Sequence, residues 1–313
     1  MERSTENKIV IVCRRTRLED LIVRFNTREQ ARFYIEHSGG DFSDYLAEDR
    51  EYRDALRKAR QTLELLGRVQ VLDREFLPNF IFGPDDIVVS VGQDGLVANT
   101  LKYLTSQPLI GVNPAPSRWD GVLLPFRVDD LAAVVPEVFA KGRSLKRVTM
   151  AEVRLKDGQS LLAVNDLFIG MKTHTSARYL LSKEGITERQ SSSGVIISTG
   201  MGSTGWLKSV LTGAQAVVSG LNGEQGDRRR LEHRIAWDAR TLVFTVREPY
   251  PSTNSQASLV FGQVTEDSPL RVQSLMPENG VIFSDGVEQD FLEFNSGAEA
   301  LVGLAHRQGL LVT

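Results

Sequence analysis

One cysteine in 313 residues excludes an internal disulfide, and that residue, Cys13, follows the apolar run Ile9-Val10-Ile11-Val12. A reduced, intracellular setting is the expectation. His37, His174, His233 and His306 are scattered, and with one cysteine they offer no spacing that suits zinc. No segment approaches the ~18–20 apolar residues needed to span a bilayer. The first six residues carry acids, and Arg14 and Arg15 break the apolar run behind them, unlike a signal or transit peptide. A cytoplasmic protein with no membrane partner is expected. Charge of one sign is also lacking: 37 Lys and Arg against 40 Asp and Glu leave a formal charge of −3. That balance gives no electrostatic case for nucleic acid. Neither a Gly-x-Ser-x-Gly elbow nor a Walker loop with its lysine occurs.

What is present is ordinary globular composition, 41% hydrophobic and 25% charged. At this length two domains are expected, because a single core stops growing near ~250–300 residues. Lys8 to Cys13 reads as a buried strand. Thr16 then stands as a cap before Leu18, Leu21, Ile22 and Phe25, spaced as in a helix. Tyr52, Leu56, Ala59, Leu63 and Leu66 predict a helix over 50–66, closed by Gly67. Strands follow at Val69–Leu72, Asp86–Val91 and Pro108–Asn113, with a helix over Leu96–Leu104 between the last two. The alternation argues for a Rossmann-like α/β domain with a parallel sheet. After about Pro136 short strands dominate: Val148–Val153 and Ser160–Val164 around an Asp157-Gly158 turn, then Gly194–Ile197, Leu242–Val246, Ser258–Phe261 and Val281–Ser284. Residues 1–140 are therefore expected to form the α/β domain and 141–290 a β-rich, mostly antiparallel one. Residues 291–313 are expected to return to the first. Gly220 to Gly226, with Arg228-Arg229-Arg230 behind it, reads as an exposed, solvated loop.

Several places could carry chemistry. Gly92-Gln93-Asp94-Gly95 lies between a buried strand and a helix, where open α/β sheets bind ligands. Glycines there let backbone N–H groups approach a phosphate, with Asp94 placed to orient Mg²⁺ or take a proton. An Asp-Gly turn without a ligand is the plain alternative. Ser198 to Trp206 alternates glycine with hydroxyl residues, which makes little sense as core packing and good sense as a floor of donors, with a glycine-rich hairpin that binds nothing as the plain alternative. Asn165-Asp166 ends a strand and could bind a ribose or an exocyclic amine, or simply turn the chain. Gly111-Val112-Asn113-Pro114 could line a ligand cleft or be a connecting loop. Asp285-Gly286 reads as a hairpin turn with a structural aspartate.

Taken in order, these motifs resemble the NAD kinase family. Gly92-Gln93-Asp94-Gly95 is similar to its Gly-Gly-Asp-Gly loop, a loop shared with diacylglycerol and sphingosine-type lipid kinases. Gly111-Val112-Asn113 is similar to Gly-Ile-Asn, and Asn165-Asp166 stands where the family has Asn-Glu. Ser198 to Trp206 resembles Ser-Thr-Pro-Thr-Gly-Ser-Thr-Ala-Tyr, and Asp285-Gly286 the late Asp-Gly turn. The resemblance implies phosphoryl transfer from ATP, or another donor, to the adenosine ribose 2′-hydroxyl of NAD. It implies Asp94 as the catalytic residue, with Gly92, Gln93 and Gly95 around the donor phosphates. Asn113, Asn165, Asp166, Thr199, Gly202, Ser203, Thr204 and Trp206 would bind NAD. Mg²⁺ would be held mainly by the donor phosphates, and two or four copies would assemble. The departures are Gln93 for glycine, Leu96 for a frequent threonine, Asp166 for glutamate, about 1.5 Å shorter in reach, and Gly205-Trp206 for Ala-Tyr. They leave two other readings open, a kinase of another hydroxyl such as a sugar, and a nucleotide-binding module without turnover.

Overall fold

Four aliphatic residues in succession, Ile9 to Val12, are fully buried in the first strand, β1 (Lys8–Cys13). An unbroken apolar run suits a parallel strand covered on both faces. The structure is a computed structural model that describes residues 5–222 and 234–313. Its chain divides into two units, Met1–Lys146 with Leu310–Thr313, and Arg147–Gly309.

In the first unit, α1 (Arg17–Phe25) starts at Thr16, whose hydroxyl accepts the Glu19 N–H while the Glu19 carboxylate accepts that of Thr16. It stops at Asn26, which adopts a left-handed φ of 64°. A helix absent from the sequence reading follows, α2 (Arg28–His37), burying little besides Ala31. The helix expected over 50–66 is longer, α3 (Phe42–Glu64), capped by Asp41. Its first turns escape the apolar pattern of the remainder because Phe42, Tyr45 and Leu46 pack with Leu18 and Ala31 in a separate small core. Then come β2 (Arg68–Asp73), β3 (Ile87–Val91), α4 (Asp94–Leu101), β4 (Pro108–Val112) and α5 (Leu131–Phe139). The strands pair in parallel in the order β2-β1-β3-β4. Tyr52, Ala59 and Leu63 of α3, and Leu131, Val134 and Val135 of α5, pack on Ile9, Ile11, Val89 and Ile110.

The second unit is two antiparallel sheets. β5 (Leu145–Leu155) and β6 (Ser160–Ala163) meet at Asp157-Gly158, where Gly158 takes φ +94°. Next are β7 (Asp166–Met171), β8 (Ala177–Lys183), β9 (Ile186–Ser192), β10 (Val195–Ser198) and α6 (Trp206–Leu221). β11 (Leu242–Val246), β12 (Phe261–Val264), β13 (Leu270–Ser274), β14 (Gly280–Ser284), β15 (Val287–Glu293) and β16 (Glu299–Val312) complete it. One sheet runs β12-β11-β10-β7-β14-β15, and the other places β13 between β16 and β8, with β9 outside β8. Side chains of both sheets share one core, including Leu167, Ile169, Phe244 and Ile282 from the first and Tyr179, Leu181 and Val272 from the second. The last residues of β16, Leu310 and Leu311, pair in parallel with Pro108 and Leu109 of β4.

Two expectations are corrected here. Ser258–Phe261 is not the strand; β12 begins at Phe261, because the Glu188 carboxylate takes the N–H groups of Ser258 and Leu259. Gly220 is helical, as α6 extends to Leu221, while Arg228-Arg229-Arg230 and His233 lie outside the described residues. No helix among the described residues is long and apolar enough to cross a membrane.

Candidate functional site

At the carboxyl end of β3 the chain turns through Gly92 and Gln93 directly into α4. Gln93 is the cap residue of that helix, yet its side chain makes no capping bond, and its carbonyl accepts the N–H groups of Leu96 and Val97. A helix N-terminus that no side chain caps presents N–H groups and a positive dipole end, which suits an anion. Gly95 is exposed, has no positive φ, and nothing lies within 4 Å of the position a Cβ would take. The fold makes no demand for glycine there. Asp94, half-buried in the first turn, accepts two backbone N–H groups, Leu123 on Oδ1 at 2.9 Å and Val122 on Oδ2 at 3.2 Å. Each oxygen keeps a further lone pair.

Asn113 is 6% exposed, and its amide is engaged within the same unit: Nδ2 donates to the Trp119 carbonyl and Oδ1 accepts the Ala115 N–H. That use turns the side chain toward the loop that follows β4. Arg118 of this loop pairs with Asp44 and Glu51 of α3. The Arg14 guanidinium lies 5.8 Å from the centre of the Trp119 ring.

In the second unit Val164 and Asn165 form the turn from β6 into β7, which Asp166 opens. The carboxylate of Asp285 gathers the turn, accepting Val164 N–H on Oδ2 at 3.0 Å and those of Asn165 and Asp166 on Oδ1 at 2.6 and 3.2 Å. Asp285 and Gly286 take φ of 54° and 70° between β14 and β15, the two-residue hairpin turn expected. Burial pushes the Asp166 carboxyl up to about 7; a hydrogen bond with Ser198 opposes this and the negative Asp285 adds to it. Asp166 Oδ1 is buried without a hydrogen-bond partner among the described residues.

The segment from Ser198 to Trp206 differs from the expected floor of donors. Thr199 is fully buried, with its hydroxyl on the Val164 carbonyl and accepting the Gly202 N–H. Ser203, 2% exposed, donates to the Gly200 carbonyl and accepts the Ile235 N–H. Its glycines do have a packing role. A Cβ at Gly200 would stand 2.1 Å from the Ala236 carbonyl oxygen, and one at Gly202 2.2 Å from that of Asn165. Of this stretch, Thr204 and Gly205 are exposed and Trp206 is half-buried. The Trp206 ring stacks on Phe168 at 5.6 Å with 18° between planes, and the Arg247 guanidinium lies 5.4 Å from its centre. Phe168 also contacts Phe283, 4.9 Å between ring centres.

The structure thus places Gly92, Gln93, Asp94, Gly95 and Asn113 in the first unit, in loops and the first turn of α4, and Asn165, Asp166, Thr199, Gly202, Ser203, Thr204 and Trp206 in the second, in loops and at the starts of β7 and α6. Sequence reasoning missed Asp285 as the group that shapes the Asn165-Asp166 turn, and Phe168 and Arg247 as the neighbours of Trp206. Only the Asp-Gly turn signal pointed toward Asp285; nothing in sequence spacing could bring Arg247 to Trp206. Among the described residues no three His, Cys, Asp or Glu side chains gather as a cage for a metal ion.

Comparison with solved structures gives the fold a precedent. The chain superposes on an NAD kinase from Archaeoglobus fulgidus in complex with ATP, with a TM-score of 0.58 and 16% identity, covering 98% of this chain and 93% of that one. It superposes on yeast NADH kinase complexed with NADH at a TM-score of 0.58 and 15% identity, covering 99% and 84%. No protein-family model matches the chain, and no curated relative matches it by sequence. The chain therefore has the fold of the NAD kinases, an α/β unit with a parallel sheet followed by an antiparallel β-rich unit.

Proposed function

We propose that the chain is a phosphotransferase of the NAD kinase type, moving a phosphoryl group from ATP or another phosphate donor to the adenosine ribose 2′-hydroxyl of NAD, in the cytoplasm. One observation carries the reading: the uncapped start of α4, with Gly95 facing open space and Asp94 beside it, in a chain with this fold. Glycine is among the poorer helix residues, so a glycine the packing does not require points to a ligand that needs its place.

In this reading the N–H groups of Asp94 and Gly95 face donor phosphate oxygens, and the Gln93 amide adds a donor. Asp94 accepts the hydrogen of the attacking hydroxyl through the lone pairs its two amide partners leave free, and takes the proton as the new O–P bond forms and the bond from that phosphorus to the donor's bridging oxygen breaks, the donor leaving one phosphate shorter. NAD is held by the second unit through the Asn165 amide, Asp166, Thr204 and the edge of Trp206. Thr199, Gly202 and Ser203 support that surface from beneath. A buried acid such as Asp166 can donate as well as accept near neutral pH, which suits a base edge or a ribose hydroxyl. Among the described residues no cluster of side chains suits a protein-held metal, so Mg²⁺ is assigned to the donor phosphates. Assembly into two or four copies is part of the proposal, supported by α6, which has one charge in sixteen residues and buries Leu207 alone.

A second reading, a different hydroxyl acceptor, is favoured by Trp206, whose ring is already stacked on Phe168 and approached by Arg247. The deciding experiment is NADP formation by the purified protein with ATP, NAD and Mg²⁺, coupled to an NADP-specific dehydrogenase. A signal that tracks enzyme concentration supports the first reading. Absence of product with NAD and every donor tried, inorganic polyphosphate included, refutes it, and a screen of sugar acceptors then decides the second.

A further inference from the structure

Asn113 closes β4 and ties together a loop of more than ten residues. Its own N–H donates to the Phe126 carbonyl at 2.8 Å, while its amide binds Trp119 O at 2.9 Å and Ala115 N at 3.0 Å. The start and middle of the loop are thus fixed to one side chain, and its end to the backbone of the same residue. Between Trp119 and Phe126 the chain reverses at Gly121, whose φ is +64° and where a Cβ would lie 2.7 Å from Asn113 Nδ2. The two residues after that reversal, Val122 and Leu123, donate their N–H groups to the Asp94 carboxylate. Leu123 is pressed onto β4 as well, its carbonyl 2.1 Å from where a Gly111 Cβ would stand. The far side is anchored by the Arg118 pairs to Asp44 and Glu51.

We propose that Asn113 is a positioning residue that acts through residues 114–124 to hold the Asp94 carboxylate in one orientation, and is not a nucleotide contact. An aspartate side chain has two rotatable bonds, and an unanchored carboxylate at a helix start samples several directions. Two N–H donors one residue apart leave it a single plane, so the free lone pairs of Oδ1 and Oδ2 point one way. Aim of that kind matters because a misplacement of about 1 Å can cost on the order of 10²-fold in rate. The chemical consequence rests on the reading of Asp94 given above; the geometric one does not.

Residue-resolved hydrogen exchange of the full chain, alongside kinetics and equilibrium NAD binding, tests the proposal with Asn113→Ala and the isosteric Asn113→Asp. Asn113→Asp keeps an acceptor for Ala115 N–H but has no donor for Trp119 O, and it stands in if Asn113→Ala does not fold. The Val122 and Leu123 amides are hydrogen-bonded to Asp94 and should exchange at least ~10-fold faster in either variant than in the wild type. Turnover should fall ~10-fold or more while the NAD dissociation constant stays within about twofold. Unchanged exchange at Val122 and Leu123 overturns the proposal, as does a weakened NAD affinity with kcat intact. If the wild type turns out not to phosphorylate NAD, the function falls, and exchange together with NAD binding still decides what Asn113 holds.

Discussion

Asp285 Oδ1 stands 2.6 Å from the backbone nitrogen of Asn165, and the same carboxylate takes the two neighbouring N–H groups. The hairpin turn of β14 and β15 is thus locked to the turn that opens β7. Hydrogen bonds to a charged acceptor contribute about 1.5–3 kcal/mol, and losing the acceptor leaves three buried or half-buried donors facing nothing. Asp285→Asn and Asp285→Gly both tolerate the positive φ at this position, so neither disturbs the turn itself. Asp285→Gly should lower stability by ~2–3 kcal/mol in urea unfolding and weaken NAD binding, while Asp285→Asn, whose amide oxygen still accepts, should lower it by only ~1 kcal/mol. Wild-type stability in Asp285→Gly would show the carboxylate to be idle.

Asp166 makes stability depend on pH. Its carboxyl titrates near 7 in the folded chain against 3.8 for an ordinary aspartate, with burial as the main cause. The folded state therefore holds an extra proton between those values, so stability falls as pH rises from about 4 to about 7, then levels. Asp166→Asn cannot ionise and escapes this loss. The variant should match the wild type near pH 4 and exceed it at pH 8, by at most ~4 kcal/mol. Thermal melts at the two pH values give the comparison. An equal difference at both would mean that Asp166 ionises as freely as an exposed carboxylate.

Much of the fold was legible because its signals are local. Ile9 to Val12 declare a two-sided strand, Thr16 a helix cap, and Asp157-Gly158 and Asp285-Gly286 their hairpins. What sequence could not supply are contacts across distance. Nothing near Asp94 announces that the N–H groups of Val122 and Leu123 will meet it. The start of α3 was hidden because its apolar residues face a different partner from the rest of the helix. The loop from Ser198 misled for a related reason: glycine between hydroxyl residues can serve a ligand or a crossing backbone, and only coordinates reveal Ala236 and Asn165 against it.

Asp94→Asn separates holding from reacting. The amide oxygen can still accept Leu123 N–H, while the amide nitrogen faces Val122 N–H, a donor against a donor at a half-exposed site. Stability should drop by ~1 kcal/mol and NAD binding should persist. Turnover should fall by ~10²–10⁴-fold, the usual contribution of a positioned acid or base. Retained turnover in a folded Asp94→Asn protein removes Asp94 from the chemistry.

Two glycine substitutions pull the roles of fold and site apart in opposite directions. At Gly202 an added methyl meets the Asn165 carbonyl oxygen at 2.2 Å, a backbone atom that cannot rotate away. Gly202→Ala should therefore cost ~1–3 kcal/mol through displaced backbone, lowering activity only because the Asn165 turn moves. At Gly95 the methyl meets nothing within 4 Å, and the residue is already helical. Gly95→Ala should leave stability unchanged or raise it by ~0.5–1 kcal/mol. If donor phosphates lie on the start of α4, that same methyl stands where they must sit, so KM for the donor should rise ~10-fold or more while NAD affinity holds. A more stable enzyme that has lost its donor is a result no purely structural role for Gly95 produces. A more stable enzyme with donor KM unchanged would move the donor away from α4.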